Sequence, residues 1–256
     1  MTQNRTDHPR GAVALHDQAN WNPLWRIERY AEDAAYAEFQ ARLAQQAERL
    51  QSDKGWMARV EQHRSALVLE KQRYAKLARF FDHLKDPGQF EAEAQWYQSA
   101  QGLVAVAKAL LPDEARQEAA RKLAYDVSEF ANNGLANAGI NELWSLVCGT
   151  GGVLFDNSNG YLGAGSSNTA FAAGQTDLQG GSKTRVGMEG GYPTYGTDQK
   201  ATWQSSFDGN TGNHDWEEFG TFNHASAGDM LNRKTESEGT KTSGQTWVLT
   251  LDITLS

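Results

Sequence analysis

The stretch TWVLTLDITLS, residues 246–256, decides the fold class because its side chains alternate between apolar and polar. Apolar side chains at every second position are typical of a strand with one buried face. These apolar residues are Trp247, Leu249, Leu251, Ile253 and Leu255. Val248 is the one apolar residue among the positions between them. We predict a strand here and shorter strands over residues 200–207 and 216–222.

The composition of the chain changes at Cys148. Six of the 25 glycines precede this residue and nineteen follow it, whereas the stretches rich in Ala, Glu, Gln, Arg and Leu stop there. Short strands joined by polar turns, without helices between them, indicate an antiparallel sandwich. We therefore predict an α+β chain with a flexible N-terminal arm (1–20), a helical domain (21–148) and an antiparallel β-sandwich domain (149–256). The last of these is expected to fold alone.

Apolar residues recur at intervals of three, four and seven between residues 36 and 84, which predicts a helical seam close to a heptad. Gly55 interrupts this run and leaves two alternatives, one long helix that tolerates a glycine or a helical hairpin. The seam is either a helical core or an oligomer and docking interface. The candidate interface residues are Leu43, Leu50, Val60 and Leu67. We expect self-association through them unless a hairpin supplies the partner within the chain.

Proline residues mark the predicted starts of further helices, because proline is favoured at the first helical position. The predicted starts are Pro23 and Pro112, whereas Asp86-Pro87-Gly88 is predicted to end the seam before a shorter helix. The helix after Pro112 is expected to end at residues 132–134, and a last helix to span residues 140–147. Trp21 and Trp25, on either side of the first start, form a candidate docking anchor.

The glycine-rich run YLGAGSSNTAF, residues 161–171, resembles a phosphate-binding loop only in part. It has the first two glycines of a dinucleotide-binding fingerprint but Asn168 where the third is required. It also lacks the Gly-Lys-Ser/Thr ending of a P-loop. We predict a tight loop in an all-β domain and no cofactor.

The sequence contains no pattern typical of a catalytic or metal site. Four acidic residues lie close together in sequence: Asp208, Asp215, Glu217 and Glu218. Neighbours on a strand point to opposite faces, so we expect a solvated acidic rim and keep a glycan hydrolase as the least favoured alternative. His214 and His224 lack the paired histidines or cysteines of zinc sites. Cys148 is the only cysteine, which excludes an intramolecular disulfide, and we expect a buried thiol.

The charge of the chain argues against nucleic acid as a partner. The formal net charge is −8, whereas proteins that neutralise phosphates carry a basic face. The sequence shows neither a signal peptide nor a run of about 18 apolar residues that would span a membrane. We expect a protein made in the cytoplasm, with no membrane partner.

Five segments taken together resemble a β-domain of virion structural proteins from tailed bacteriophages. The shared pattern is a glycine-rich segment before Ala-Phe-Ala-Ala and Gln-Thr-Asp-Leu, followed by Trp-x-Glu-x-Gly, Leu-Asn-Arg-Lys and a closing Thr-rich strand. Glu217 is an extra acid beside the Glu218 of the pattern. The resemblance covers residues 141–256. The segments are INELWSLVCGTGG (140–152), FDNSNGYLGAGSSNTAFAAGQTDLQG (155–180), MEGGYPTYG (188–196), WEEFGTFNHASAGDMLNRK (216–234) and GTKTSGQTWVLTLDITLS (239–256).

The resemblance implies a component of a virus particle, either a capsid decoration protein or a neck or tail appendage, with no catalytic residues. The implied partners are capsid or other virion proteins and further copies of this chain, on a particle assembled in the host cytoplasm. We favour decoration over a tail fibre because the sequence has no repetitive shaft. A receptor-binding or carbohydrate-binding module is the second hypothesis, because the chain has eight tryptophans and a β half.

Overall fold

The computed structural model describes residues 21–80, 86–149 and 151–256. Over these residues it has six helices and two five-stranded antiparallel sheets, which confirms the predicted α+β class. The predicted N-terminal arm lies outside the described residues, as do Phe81 and Leu84 of the predicted seam.

Sheet A joins strands from both ends of the chain. In spatial order its strands are β2 (Ala124–Ala131), β1 (Trp21–Tyr30), β10 (Thr246–Leu255), β7 (Lys200–Phe207) and β6 (Thr194–Thr197). Sheet B contains β3 (Gly134–Leu135), β9 (Met230–Thr235), β8 (Glu218–Phe222), β4 (Tyr161–Gly165) and β5 (Lys183–Gly187). The strands predicted around residues 200–207, 216–222 and 246–256 are confirmed as β7, β8 and β10.

The prediction of a helix from Pro23 is wrong, because residues 21–30 form a strand inside sheet A. β1 pairs with β10 over ten residue pairs, from Trp21 opposite Leu255 to Tyr30 opposite Thr246. The helix predicted up to residues 132–134 is also wrong in its second half, where β2 pairs with the other side of β1. In both segments long-range pairing prevails over the local helix signal. Three strands of the two sheets thus come from the region predicted to be a helical domain.

The helices are shorter than the predicted seam. They are α1 (Asp33–Arg49), α2 (Lys54–Ala78), α3 (Pro87–Gln98), α4 (Ala100–Ala109), α5 (Asp113–Ala120) and α6 (Asn137–Val147). The helical conformation is interrupted at residues 50–53, between α1 and α2. The alternative of a single long helix is therefore excluded. The Asp53 carboxylate caps α2 by accepting a hydrogen bond from the Trp56 backbone N–H. α1 packs against α4 and α5, whereas α2 packs mainly against α3.

Sheet A is the middle layer of three. Its one face packs against sheet B, with residues such as Trp25, Phe219 and Leu249 in the shared core. Its other face packs under the helices, where Tyr30 and Val248 join the helical core. This second buried face explains why Val248 breaks the apolar alternation of β10.

The glycine-rich run predicted to be a loop begins with a strand of sheet B. β4 lies between β8 and β5, and its glycines permit the close packing of side chains on either side. A Cβ at Gly163 would lie 2.9 Å from the Phe222 ring, and one at Gly165 would lie 2.5 Å from Glu218 Oε1. The prediction of a loop at residues 161–165 is therefore wrong, and the glycines serve packing.

Candidate docking surface

Most residues of the predicted interface are core residues. Trp25 is fully buried and stacks on Phe130, with a centroid distance of 6.4 Å. The buried members of the predicted helical interface are Leu43, Val60 and Leu67, and Leu50 packs against the same core. A partner cannot reach the buried side chains in the folded chain, so the assignment of Trp25, Leu43, Val60 and Leu67 as docking residues is corrected, whereas Leu50 is half-buried. Their apolar partners are supplied within the chain.

Trp21 differs from the other predicted docking residues because it lines an open cleft of about 660 Å³. This cleft lies between α2, α6 and sheet A, and we call it the α6 groove. Its apolar lining includes Leu69, Leu143, Leu146, Leu154, Tyr195 and Leu255. Trp21 is held at the groove because its indole Nε1–H donates a hydrogen bond to Asn133 Oδ1 at 3.0 Å.

Apolar side chains are exposed in and beside the α6 groove. Leu69 in the groove is 65% exposed. Trp144 and Val147, on the helix that carries Leu143 and Leu146, are 62% and 75% exposed. Clustered exposed apolar residues mark interaction sites in soluble proteins. The predicted helix over residues 140–147 is confirmed, and its apolar residues contained this signal, but the sequence could not show which of them would remain uncovered.

Cys148 follows directly after α6 and is exposed, so the prediction of a buried thiol is wrong. Its backbone N–H donates a hydrogen bond to the Trp144 carbonyl oxygen, which closes the helix. The exposed thiol of Cys148 offers a site for chemical labelling next to Val147, at the end of α6.

A charged cluster forms one wall of the α6 groove. The buried Lys71 ammonium donates a hydrogen bond to Ser158 Oγ at 2.6 Å and pairs with Glu93 at 2.9 Å. Glu70 and Asp156 are the acidic residues that line the groove itself. Burial, reinforced by repulsion from Asp156, raises the pKa of Glu70 to about 7, although Lys71 and Ser158 favour its charged form.

Replacing Glu70 with Gln should change how stability depends on pH. The raised pKa means that the folded state holds a proton between about pH 4.5 and pH 7 that the unfolded state has lost. This stabilisation is full below the unfolded pKa and is lost as pH rises through about 7. As pH rises from 5 to 8 the wild type loses this stabilisation, whereas Glu70→Gln has no such proton to lose. The free energy of unfolding of the variant, relative to that of the wild type, should therefore increase by roughly 3 kcal/mol between these two pH values.

Urea unfolding of both proteins at pH 5 and pH 8 measures this difference. The variant keeps an oxygen that can accept the hydrogen bond from Ser158. Glu61→Gln on the exposed side of α2 controls for the loss of one charge. An equal difference between Glu70→Gln and the wild type at both pH values would contradict the raised pKa.

The Trp-x-Glu-x-Gly and Leu-Asn-Arg-Lys segments meet at a buried ion pair. Arg233 Nε donates a hydrogen bond to Glu218 Oε2 at 2.6 Å, and both side chains are fully buried. The Glu218 carboxylate also accepts hydrogen bonds from the backbone N–H groups of Gln179 and Gly180, at 2.9 and 2.6 Å. The Arg233 guanidinium reaches Gln175 Oε1 at 3.2 Å and the Thr169 carbonyl at 2.9 Å. This ion pair therefore fixes the segment between β4 and β5.

The other sequence candidates do not assemble into a catalytic site. Glu218 points into the protein, so the prediction of a solvated acidic rim is wrong for this residue. Glu217 points the other way and accepts a hydrogen bond from the Ser237 hydroxyl. His224 Nδ1 accepts hydrogen bonds from the backbone of the following turn. Among residues 21–80, 86–149 and 151–256, no three His, Cys, Asp or Glu side chains are placed to hold a metal ion.

Comparison of the chain with protein-family models, with curated proteins and with solved structures finds no match. No helix in the described part of the chain is long and apolar enough to cross a membrane.

Proposed function

We propose that this chain is a structural component of a tailed-phage particle, and more specifically a capsid decoration protein. The class comes from the resemblance over residues 141–256. The single observation that carries the docking role is the α6 groove with the apolar side chains exposed in it and beside it: Leu69 in the groove, and Trp144 and Val147 next to it on α6. A protein that attaches to a larger assembly needs such a surface.

The residues that carry the resemblance support a structural role. Glu218 and Arg233 are fully buried, so a substrate has no access to the one close carboxylate–guanidinium pair of these motifs. Asp177 of the Gln-Thr-Asp-Leu motif pairs with Lys183 and Arg185, at 2.6 and 2.7 Å. The motifs are thus used to hold loops in place, which favours a binding scaffold over a hydrolase.

The proposed occupant of the α6 groove is an apolar segment of a capsid subunit. Most residues that line the groove are apolar, and its four charged lining residues are two acids and two bases: Glu70, Asp156, Arg73 and Lys200. A partner that presents apolar side chains with few charges therefore suits it better than a strongly charged one. Trp21 lies in the same groove, so residues 1–20 join the chain at the docking surface.

Charged substitutions in the docking surface should abolish attachment to particles. Leu69→Glu and Val147→Glu each replace an exposed apolar side chain, so the fold should tolerate them. If each side chain is buried on docking, its loss costs about 1.5–3 kcal/mol, or a ten- to hundredfold fall in affinity. Val127→Glu is the matched control, because Val127 is an exposed valine on β2, away from the groove.

Co-sedimentation of the purified chain with particles that lack it measures attachment. Equal binding by Val147→Glu and Val127→Glu would contradict docking through the α6 groove. Copy number on native particles tests the class: tens to hundreds of copies fit a decoration protein. A handful at one vertex would favour the neck or tail appendage. A deletion of residues 1–20, which leaves β1 whole, measures what that segment adds to binding.

A further inference from the structure

A polar cavity of about 420 Å³ lies between the helices and sheet A, next to the α6 groove, with which it shares Tyr195 and Lys200. Gln62 and His63 of α2 lie on one side of it, and Thr202, Gln204 and Thr250 of sheet A lie on the other. This volume is within the range of small-molecule sites, but such sites are usually lined mostly by apolar side chains. The polar lining therefore indicates a ligand that is itself rich in hydrogen-bonding groups.

Two buried polar atoms in the wall of this polar cavity lack a partner in the described part of the chain. They are Arg116 Nε, a donor, and Gln204 Oε1, an acceptor. The remaining groups of both side chains are engaged: Arg116 donates to Glu28 at 3.2 Å, and Gln204 Nε2 donates to Thr250 Oγ1 at 2.8 Å. Both atoms are buried away from the cavity surface, so the groups left to meet a ligand are other polar side chains of the lining: Gln62, Thr202 and Thr250.

The charges around the polar cavity balance, which favours a neutral ligand over an anion. Five basic and three acidic residues line it, and two further acids, Glu28 and Glu129, pair with lining arginines. Burial lowers the pKa of Lys108, and its ammonium donates a hydrogen bond to Gln40 Oε1 at 2.6 Å. The close pairs are Arg26–Glu129 at 2.7 Å, Arg116–Glu28 at 3.2 Å and Lys200–Asp252 at 3.6 Å.

An aromatic ring completes the polar cavity. Tyr195 lines it, is 54% exposed and meets the His63 ring edge to face at a centroid distance of 5.5 Å. No hydrogen bond or ion pair restrains the Tyr195 side chain within residues 21–80, 86–149 and 151–256, so its ring is available to a ligand. The C–H groups of a sugar ring pack on such an aromatic surface while its hydroxyls bond to polar neighbours.

The geometry points to a saccharide site: we infer that the polar cavity binds a neutral mono- or disaccharide. The sugar ring packs on Tyr195, and its hydroxyls bond to Gln62, Thr202 and Thr250. This inference does not depend on attachment to a particle, because the polar cavity is a separate cleft, although Tyr195 and Lys200 line both it and the α6 groove.

The test is saturation-transfer NMR and calorimetry on the full chain with glucose, galactose, mannose, N-acetylglucosamine, maltose and lactose. Concentrations up to about 50 mM detect millimolar dissociation constants. At least one sugar should bind, and Tyr195→Ala should weaken it about tenfold. Tyr125→Ala is the matched control, because Tyr125 is a 51% exposed tyrosine on β2 and lies outside the polar cavity.

Three results would overturn the inference. The first is the absence of binding by every sugar, which would leave only water in the polar cavity. The second is sugar binding that Tyr195→Ala and Tyr125→Ala change equally. The third is binding of inorganic phosphate that displaces the sugar, because the balanced charges predict no preference for an anion. Gln62 lines the polar cavity but not the α6 groove, so Gln62→Ala should weaken sugar binding and leave particle attachment unchanged, which distinguishes failure here from failure of the docking role.

Discussion

A fragment of residues 149–256 is expected to remain unfolded in isolation, although the sequence favours a β half that folds alone. The fragment lacks β1, which covers one edge of β10 along ten residue pairs. β1 and β2, which the fragment lacks, also contribute four buried aromatic or aliphatic side chains to the two cores: Trp25, Ile27, Tyr30 and Phe130. Their burial stabilises the fold by roughly 6–12 kcal/mol, at about 1.5–3 kcal/mol each. That is comparable with the whole stability of a typical domain, about 5–15 kcal/mol.

Circular dichroism, amide NMR dispersion and thermal melting distinguish the outcomes. The fragment should show no cooperative transition, whereas a chain of residues 21–256 should melt cooperatively because it keeps every described strand. Adding residues 21–148 as a separate polypeptide should restore folding if β1 and β2 are what the fragment lacks. A cooperative transition in the isolated fragment would support the domain boundary predicted at residue 149.

The sequence predicts elements whose signal is local. The alternation in β10 identifies a strand, and Pro87 and Pro112 lie at or just before the starts of α3 and α5. These signals depend on one element alone, so a single sequence is enough to read them. The sequence does not decide whether the helix is interrupted between α1 and α2, because a glycine in a helix costs only about 1 kcal/mol and packing decides the outcome.

The elements that the sequence misses depend on distant partners. Pro23 and the flanking tryptophans give β1 the appearance of a helix start, yet Pro23 pairs with Ile253, 230 positions along the chain. The sequence of residues 21–30 does not indicate that this segment pairs with β10 on one side and with β2 on the other. β4 is missed for the same reason. Its glycines are required because the Phe222 and Glu218 side chains pack against them, and these residues are distant in sequence.

The predictions of candidate sites likewise succeed where the signal is local and fail where it depends on distant residues. The sequence correctly places Glu217 and Glu218 on opposite faces of a strand, since this follows from the period of two. It does not reveal that the inner face is closed by Arg233, fifteen residues later, which turns a candidate catalytic acid into a buried structural group. The seam residues Leu43 and Val60 are correctly identified as apolar-face residues, but their cover comes from other parts of the same chain.

Glu218→Gln is expected to destabilise the protein by about 3–5 kcal/mol, because it leaves the Arg233 charge buried without its partner. The amide oxygen of the introduced Gln can still accept a hydrogen bond from one backbone N–H. Its NH₂ group, which only donates, replaces the second carboxylate oxygen and faces another donor. Arg233→Met should be similarly costly, since the carboxylate then keeps only the N–H groups of Gln179 and Gly180. Unfolding by urea measures both losses.

The double variant separates the ion pair from general damage to the core. If the two side chains act as a pair, Glu218→Gln combined with Arg233→Met should cost clearly less than the sum of the single variants. Glu217→Gln is the matched control, because this neighbour faces outward and bonds only to Ser237, so its effect should stay within about 0.5 kcal/mol. Additive losses would mean that the two residues stabilise the protein independently. A Glu218→Gln variant as stable as the control would show that the carboxylate is not needed to hold residues 179 and 180, and would reopen the question of why both motifs converge on this buried position.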